Sequence, residues 1–456
     1  MSEINNEFKL ALNAENSELL REFFLSGHFS FQERKQIAEI CADLQAWGEN
    51  VGEILKIAKF DENRGENFAS NFSGNSNANS NTNFAENSSV NFSENPIVNS
   101  APNLQSKPAS NHASKQVFAR IKSAYELIKS RPPAYENFTP HYTPKRYEIS
   151  RFAGEKLALG RCPVASEGTR CCNLLTLDAV NSCGFDCSYC AIGSFYKNGV
   201  VGFDENFGAN LAKLHLDSDK IYHIGTGQSS DSLMWGDNFG ILSALNSFAR
   251  AHENVILELK SKSNNISFFL QNDISRNIIV TFSLNPQIII ENEEHLSASL
   301  DERLNAAKKL AQKGILVGFH FHPMIYFEGW RDEYSAIFAR LVREFDPSSV
   351  ALVSFGTLTF IKPVIKKLRA RGLESKILQM PFSQANGKIS YPKNIKLEMF
   401  KFAYSSLRAW HEEVFFYLCM EDEALWGEVF GREFASNDEF ERAMKEAYMR
   451  KIKENL

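Results

Sequence analysis

The chain has 456 residues, 43% of them hydrophobic, enough for one large domain with appendages or for two to three ordinary ones. Its net charge of -5 and pI near 6.1 exclude a global basic field that draws the whole protein onto nucleic acid, so any such site is local. Eight cysteines are too few for a disulfide scaffold at this length, and they concentrate between Cys162 and Cys190, which suits metal or redox chemistry in a reducing compartment.

The N-terminus "MSEINNEFKLALNAENSELL" has no basic region followed by an apolar stretch, and no apolar run approaches about 18 residues, so a cytoplasmic location without a membrane segment is expected. Residues 1–60 read as an N-terminal helical region, with Ile37, Ile40, Cys41, Leu44 and Trp47 at helical spacing. Residues 61–110 hold 13 Asn and 10 Ser, a composition that buries too little apolar surface to offset chain entropy, so 61–115 is expected to be a disordered insertion. Its repeated Asn-Phe pairs, at Asn67, Asn71, Asn83 and Asn91, leave a binding tract as the other reading. A connecting segment, 116–165, follows with an amphipathic helix in "VFARIKSAYELIKSRPP" stopped by Pro132 and Pro133.

From Leu174 onward, short β-branched runs alternate with helical stretches. Strands are expected in "LLTLDAV", "KIYHIGTG", "NVILELKSK", "NIIVTFSLNP", "ILVGFHFHP" and "SVALVSFGT", with helices at 207–216, 239–252, 299–313, 333–345 and 360–371. Ser299 and Glu302 form a capping-box signature for the third of these helices. Six strands in α/β alternation imply a parallel sheet with right-handed crossovers, an α/β partial (β/α)6 TIM-like barrel over 166–360, followed by a mainly helical C-terminal extension over 361–456 containing the apolar run "VFFYLCM". Sites in such barrels lie at the C-terminal ends of the strands.

The loop after the first of these strands, "NSCGFDCSYCAIGSFY", carries Cys183, Cys187 and Cys190 in the order C-x3-C-x2-C. Three thiolates on one loop hold three irons of a [4Fe-4S] cube and leave the fourth open, whereas an electron-transfer cluster normally has four cysteines. A zinc knuckle wants a fourth Cys or His close by, and the next histidine downstream is His215. In a parallel barrel, polar residues alternating along an apolar strand face the lumen. Glu258, Lys260 and Lys262 share one face in this way, as do Ser283 with Asn285 and His320 with His322. A lumen cation needs an anion, and the alternative for the lysines is an exposed edge strand. The two histidines read equally as contacts to substrate, ribose or a proton relay, or as a core pair satisfied by backbone carbonyls. Gly225 and Gly227 allow the backbone to approach a ligand closely.

The cysteine motif is similar to that of the radical S-adenosylmethionine (SAM) enzymes. More specifically, "RCPVASEGTRCCNLLTLDAVNSCGFDCSYCAIGSFY", "YHIGTGQSSDSLMWGD", "LELKSKSNN", "SLNPQ", "EEHLSASLDERLNAAKKLAQKGILVGFHFHPMIYFEGW" and "YLCMEDEALWGEVFG" resemble the spore photoproduct lyase family. The resemblance implies that Cys183, Cys187 and Cys190 ligate the cluster, with SAM completing the open iron and yielding a 5′-deoxyadenosyl radical. It implies SAM contacts at Gly225, Gly227, Ser230, Asp231, Lys260 and Ser283, with the SAM carboxylate a partner for Lys260, and an active-site tyrosine at Tyr189. It also implies an external one-electron reductant of flavodoxin or ferredoxin type and a damaged or modified nucleobase as substrate.

One departure stands out. The family's lyase returns a hydrogen atom from a cysteine before a "TSD" sequence, and here the stretch is "GQSSDS", with Gln228 at that position. A radical enzyme for a nucleoside, RNA or peptide is therefore a second reading, and a non-catalytic metal-cluster module a third. Cys162, Cys171 and Cys172 read either as a substitute thiol or second centre, or as small buried hydrophobes. Local basic runs, "IKPVIKKLRARG" and "KSRPPAYENFTPHYTPKRYEISR", the latter interleaved with Tyr135, Phe138 and Tyr142, offer a stacking surface for nucleic acid or simply solvated faces.

Overall fold

A computed structural model describes residues 2–60, 111–162, 168–192, 199–385 and 387–454. The chain divides into two compact units, one made of Met1–Leu44 with Asn50–Ile128 and the other of Gln45–Glu49 with Lys129–Leu456. In the first unit, helices Glu3–Phe8, Ala14–Leu25, Phe31–Ala46 and Val51–Phe60 are followed by Asn111–Lys129. The stripe expected from periodicity is buried there, with Ile37, Cys41 and Leu44 fully enclosed, and Tyr125 donates a hydrogen bond to Asp43 at 2.6 Å. The Asn/Ser-rich segment expected to be disordered lies, up to residue 110, outside the described residues.

The second unit is built on one eight-stranded sheet whose spatial order follows the chain. Its strands are β1 (Leu159–Arg161), β2 (Leu175–Leu177), β3 (Tyr222–Thr226), β4 (Val255–Ser261), β5 (Ile278–Ser283), β6 (Leu316–Met324), β7 (Val350–Thr357) and β8 (Phe415–Leu418). Neighbours from β2 to β8 pair in parallel, and β1 runs antiparallel to β2. The six expected strands form the centre. Because β1 and β8 do not pair with each other, the sheet curls without closing and forms a half-barrel.

The run "VFFYLCM" supplies β8, a strand inside the stretch read as mainly helical: all four of its residues are buried and it pairs with Leu352–Phe355 of β7. Crossover helices include Ile241–Ala251, Leu300–Gln312 and Trp330–Glu344, and the capping box forms as expected, with Ser299 and Glu302 each accepting from the other's backbone N–H. β4 lies between β3 and β5 and is buried on both faces, so its lysines do not belong to an exposed edge strand.

Candidate functional site

Cys183, Cys187 and Cys190 follow β2 at its C-terminal end. The loop packs tightly against the segment after β3: a Cβ at Gly184 would lie 2.2 Å from Met234 Cε and 3.0 Å from the Trp235 ring. Cys187 belongs to a two-residue ladder, Asp186–Cys187, antiparallel to Glu294–His295. Burial pushes the Cys187 thiol up to about 12, with Lys262 opposing, and burial followed by the Asp231 charge lifts Cys183 well above the usual thiol range. Each of these thiols feels the other two or one of them as a like charge. Among the described residues no three His, Cys, Asp or Glu side chains converge on one ion. A cube that takes one thiolate per iron does not require that convergence.

The loop after β3 is shaped by Gly227, whose φ is +85° and where a Cβ would fall 2.8 Å from the Lys260 carbonyl, so no side chain fits. Gly225 sits against Leu174. Asp231 accepts hydrogen bonds from the backbone N–H groups of Leu233 (3.0 Å) and Met234 (2.9 Å), from Ser261 Oγ (2.8 Å) and from Lys262 N (2.7 Å). It therefore fastens this loop to the end of β4. Ser230 Oγ accepts from Trp235 Nε1 at 3.3 Å.

Inside the sheet, Glu258 is fully buried and is met by His223 Nε2 at 2.8 Å, His320 Nε2 at 2.6 Å and Thr281 Oγ1 at 3.1 Å, with Lys260 Nζ at 3.7 Å. Burial opposes its charge, but Lys260 and the two imidazoles outweigh burial and hold it well below the usual carboxylate range. Ser354 Oγ links His320 Nδ1 (2.6 Å) to His322 Nε2 (3.0 Å), so the histidines join a side-chain network rather than backbone carbonyls. Tyr189 donates to Glu294, which also takes Asn285 Nδ2 at 2.8 Å and pairs with the buried Arg303 at 2.6 Å. Burial opposes the Glu294 charge, yet Arg303 and then Lys262 draw its carboxyl down to about 2. Ser283 lends its carbonyl to Arg303 at 2.8 Å.

Lys260 of β4 and Lys262, one residue past its end, thus face two sets of thiols. Lys262 lies by Cys187 and over the Tyr189 ring at 5.8 Å, whereas Lys260 stands in the field of Cys419, Cys172 and Cys162. Gln228 donates its amide to Cys162 Sγ at 3.3 Å. Thr169 bridges Asp422 antiparallel and Arg170 N donates to Glu421 O at 3.3 Å, which brings the segment after β8 alongside the chain before β2, and Cys172 lies within the field of Cys419.

Sequence reasoning missed Glu293, Glu294, Arg303 and Arg371 as supports of this site, and the acidic pair, two residues beyond the apolar "QIII", carries no local signal of that role. The proposed stacking surface loses Tyr135, which is buried against Phe327 and donates to Glu293 at 2.8 Å, while the half-buried Tyr142 already has one ring face stacked on His295 at 4.0 Å.

The spore photoproduct lyase family model matches residues 181–394. The chain is similar to spore photoproduct lyases of Geobacillus sp. (30% identity over 98 residues, 21% of this chain and 29% of the relative), Clostridium acetobutylicum (25% over 166 residues, 35% and 49%) and Bacillus subtilis (38% over 60 residues, 13% and 18%). It spans about half or less of the length of these curated relatives. A solved spore photoproduct lyase complexed with dinucleoside spore photoproduct shares the fold at 18% identity and a TM-score of 0.50, over 59% of this chain and 82% of that one. Residues 181–394, a little under half of the chain, thus carry its likeness to the spore photoproduct lyase family.

Proposed function

We propose that this protein is a radical SAM enzyme acting on a damaged or modified nucleobase. The observation that carries the reading is a set of three thiols on one loop at the C-terminal end of a half-barrel strand, with the Lys262 cation beside Cys187. Cys183, Cys187 and Cys190 would hold a [4Fe-4S] cluster, which together with SAM supplies a 5′-deoxyadenosyl radical once an external flavodoxin- or ferredoxin-like donor provides an electron.

The chain's own residues do the rest. The glycine turn at Gly225–Gly227 and Ser230 receive the polar end of SAM, with Asp231 holding that loop against β4. Lys260 offers its ammonium to a carboxylate, and Glu258 beneath it keeps the cation in place. Ser283 lines the same end of β5. Tyr189, donating its phenolic proton to an ionised Glu294, stands between the last two cluster ligands as the catalytic side chain. A base within a duplex has to be turned out of the stack to reach this rim. The similarity of the chain to lyases, one of which is solved with dinucleoside spore photoproduct, supports a nucleic-acid lesion as substrate.

Gln228 at the hydrogen-donor position favours a second reading, the same radical chemistry on a nucleoside, RNA or peptide, because an amide N–H is too strong a bond to replace a thiol as hydrogen donor. Anaerobic reconstitution should load about four irons per chain, and dithionite with SAM should release 5′-deoxyadenosine. Iron without that product would leave a non-catalytic cluster protein. Ultraviolet-irradiated DNA, dinucleotide photoproducts and undamaged nucleic acid are then compared for acceleration of SAM cleavage; no acceleration by any of them removes the nucleobase assignment.

A further inference from the structure

Four consecutive residues of the cysteine loop, Asp186 to Tyr189, are gripped from outside by groups that are not cluster ligands. The Arg371 guanidinium reaches the Cys187 carbonyl at 2.9 Å, the Ser188 carbonyl at 3.4 Å and the Asp186 carboxylate. Asp186 also takes Lys145 Nζ at 3.2 Å and Tyr142 Oη at 3.3 Å. Glu293 accepts the Ser188 hydroxyl with its carboxylate and the Ser188 N–H with its carbonyl at 2.8 Å. Glu294 accepts the Tyr189 hydroxyl, and its main chain forms the ladder to Cys187. Both glutamates are buried to about 1% exposure or less.

Each carboxylate is anchored in turn. Glu293 takes Tyr135 Oη at 2.8 Å, Ser375 Oγ at 2.6 Å and Lys376 N at 2.9 Å; Glu294 takes Arg303 and Asn285. Asn285 is itself fixed by Tyr334 Oη at 2.7 Å. These contacts engage the main chain and the intervening Asp186, Ser188 and Tyr189 side chains, and none of them is made to a thiol. Two buried carboxylates cost desolvation energy, which is offset only where their partners are held in place. The chain places that cost beside the ligand loop.

We infer that Glu293 and Glu294, with Arg371, are positioning residues that fold the cysteine loop into its ligating shape before iron arrives. The inference rests on the cluster reading of Cys183, Cys187 and Cys190. With the loop ordered in advance, cluster assembly does not have to pay for immobilising it, and retention is correspondingly tighter. Partners of this kind, one step removed from the metal, commonly govern affinity by about 10–100-fold.

The test uses full-length protein carrying Glu293→Gln, Glu294→Gln or the milder Ser188→Ala, with Glu421→Gln as control. Glu421 is an equally buried carboxylate that accepts from Thr357 N at 2.8 Å and Lys396 Nζ at 2.6 Å, away from the loop. After reconstitution with iron and sulfide, loss of the cluster's visible absorbance to a chelator is timed. The loop variants should lose it roughly 10–100-fold faster, the control at the wild-type rate, and Ser188→Ala with Glu293→Gln together no faster than Glu293→Gln alone. In iron-free protein the same variants should speed alkylation of Cys187.

Wild-type retention in both glutamine variants, or equal loss in the control, overturns the inference. If the wild type takes up no iron, the cluster reading is what fails, and the iron-free alkylation rates still report whether the carboxylates order the loop.

Discussion

Cys183, Cys187 and Cys190 arrive on one loop of eight residues' span and are braced by two buried glutamates and an arginine, while Cys162, Cys171, Cys172 and Cys419 are assembled from separate parts of the chain around Lys260. The two carboxylates that brace the first set are sealed from water, and Arg371 is mostly so. The second set is brought together by strand-like backbone pairing and by a surface-facing ion pair, Arg170 with Glu423 at 2.6 Å. A local motif with remote supports is therefore set against a remote assembly with local supports, and the two should respond to substitution in different ways.

The sharpest contrast is iron. Cys187→Ala should abolish cluster binding, whereas Cys172→Ala should leave iron per chain unchanged; loss of iron in both would merge the two sets into one centre. Next in size is the charge under the first set. Arg303→Met leaves the Glu294 carboxylate buried without its partner and should cost about 3–5 kcal/mol in urea unfolding, while Arg170→Met, whose Glu423 partner is half exposed, should cost no more than about 1 kcal/mol.

Acid should separate them as well. Glu294 titrates near 2 when folded, below an unfolded value of about 4.3, so its stabilisation persists through neutral pH and disappears only as pH falls from there toward 2. His320 and His322 are lowered by burial, then by the Lys260 charge and, for His322, first by His320. The unfolded chain therefore takes up protons that the folded one refuses, and stability should fall as pH drops below about 6.5. His322→Asn should flatten that slope in chemical denaturation near pH 6; an unchanged slope would remove the histidines from the account.

The smallest effect lies within the second set. Cys172 donates its thiol hydrogen to Cys171, which lowers Cys171 and raises Cys172. Iodoacetamide at neutral pH should mark Cys171 ahead of Cys172, as peptide mass mapping can show.

These contrasts also mark what is legible in the sequence. The six central strands can be read because each is an apolar β-branched run between turn signals, and the lumen face of β4 follows from the two-residue period. The partners of Glu258 cannot be read, because His223, Thr281 and His320 come from three other strands whose register no local pattern specifies. β8 escapes for a related reason: a four-residue strand far beyond the other strands has only its apolar character to announce it. Glu293 and Glu294 stand within a family-like stretch that gives no hint of their task, since acidic residues are ordinarily solvated and only the tertiary fold brings Ser188 and Tyr189 to them.

The family match stops at residue 394, while β8 begins at Phe415. A chain ended at residue 394 would strip β7 of its outer neighbour, baring the amides and carbonyls of Leu352–Phe355 in an apolar edge ready to recruit another chain. Such a trimmed fragment should clump in solution, and the C-terminal segment is on this account a guard for the sheet as much as an extension of it.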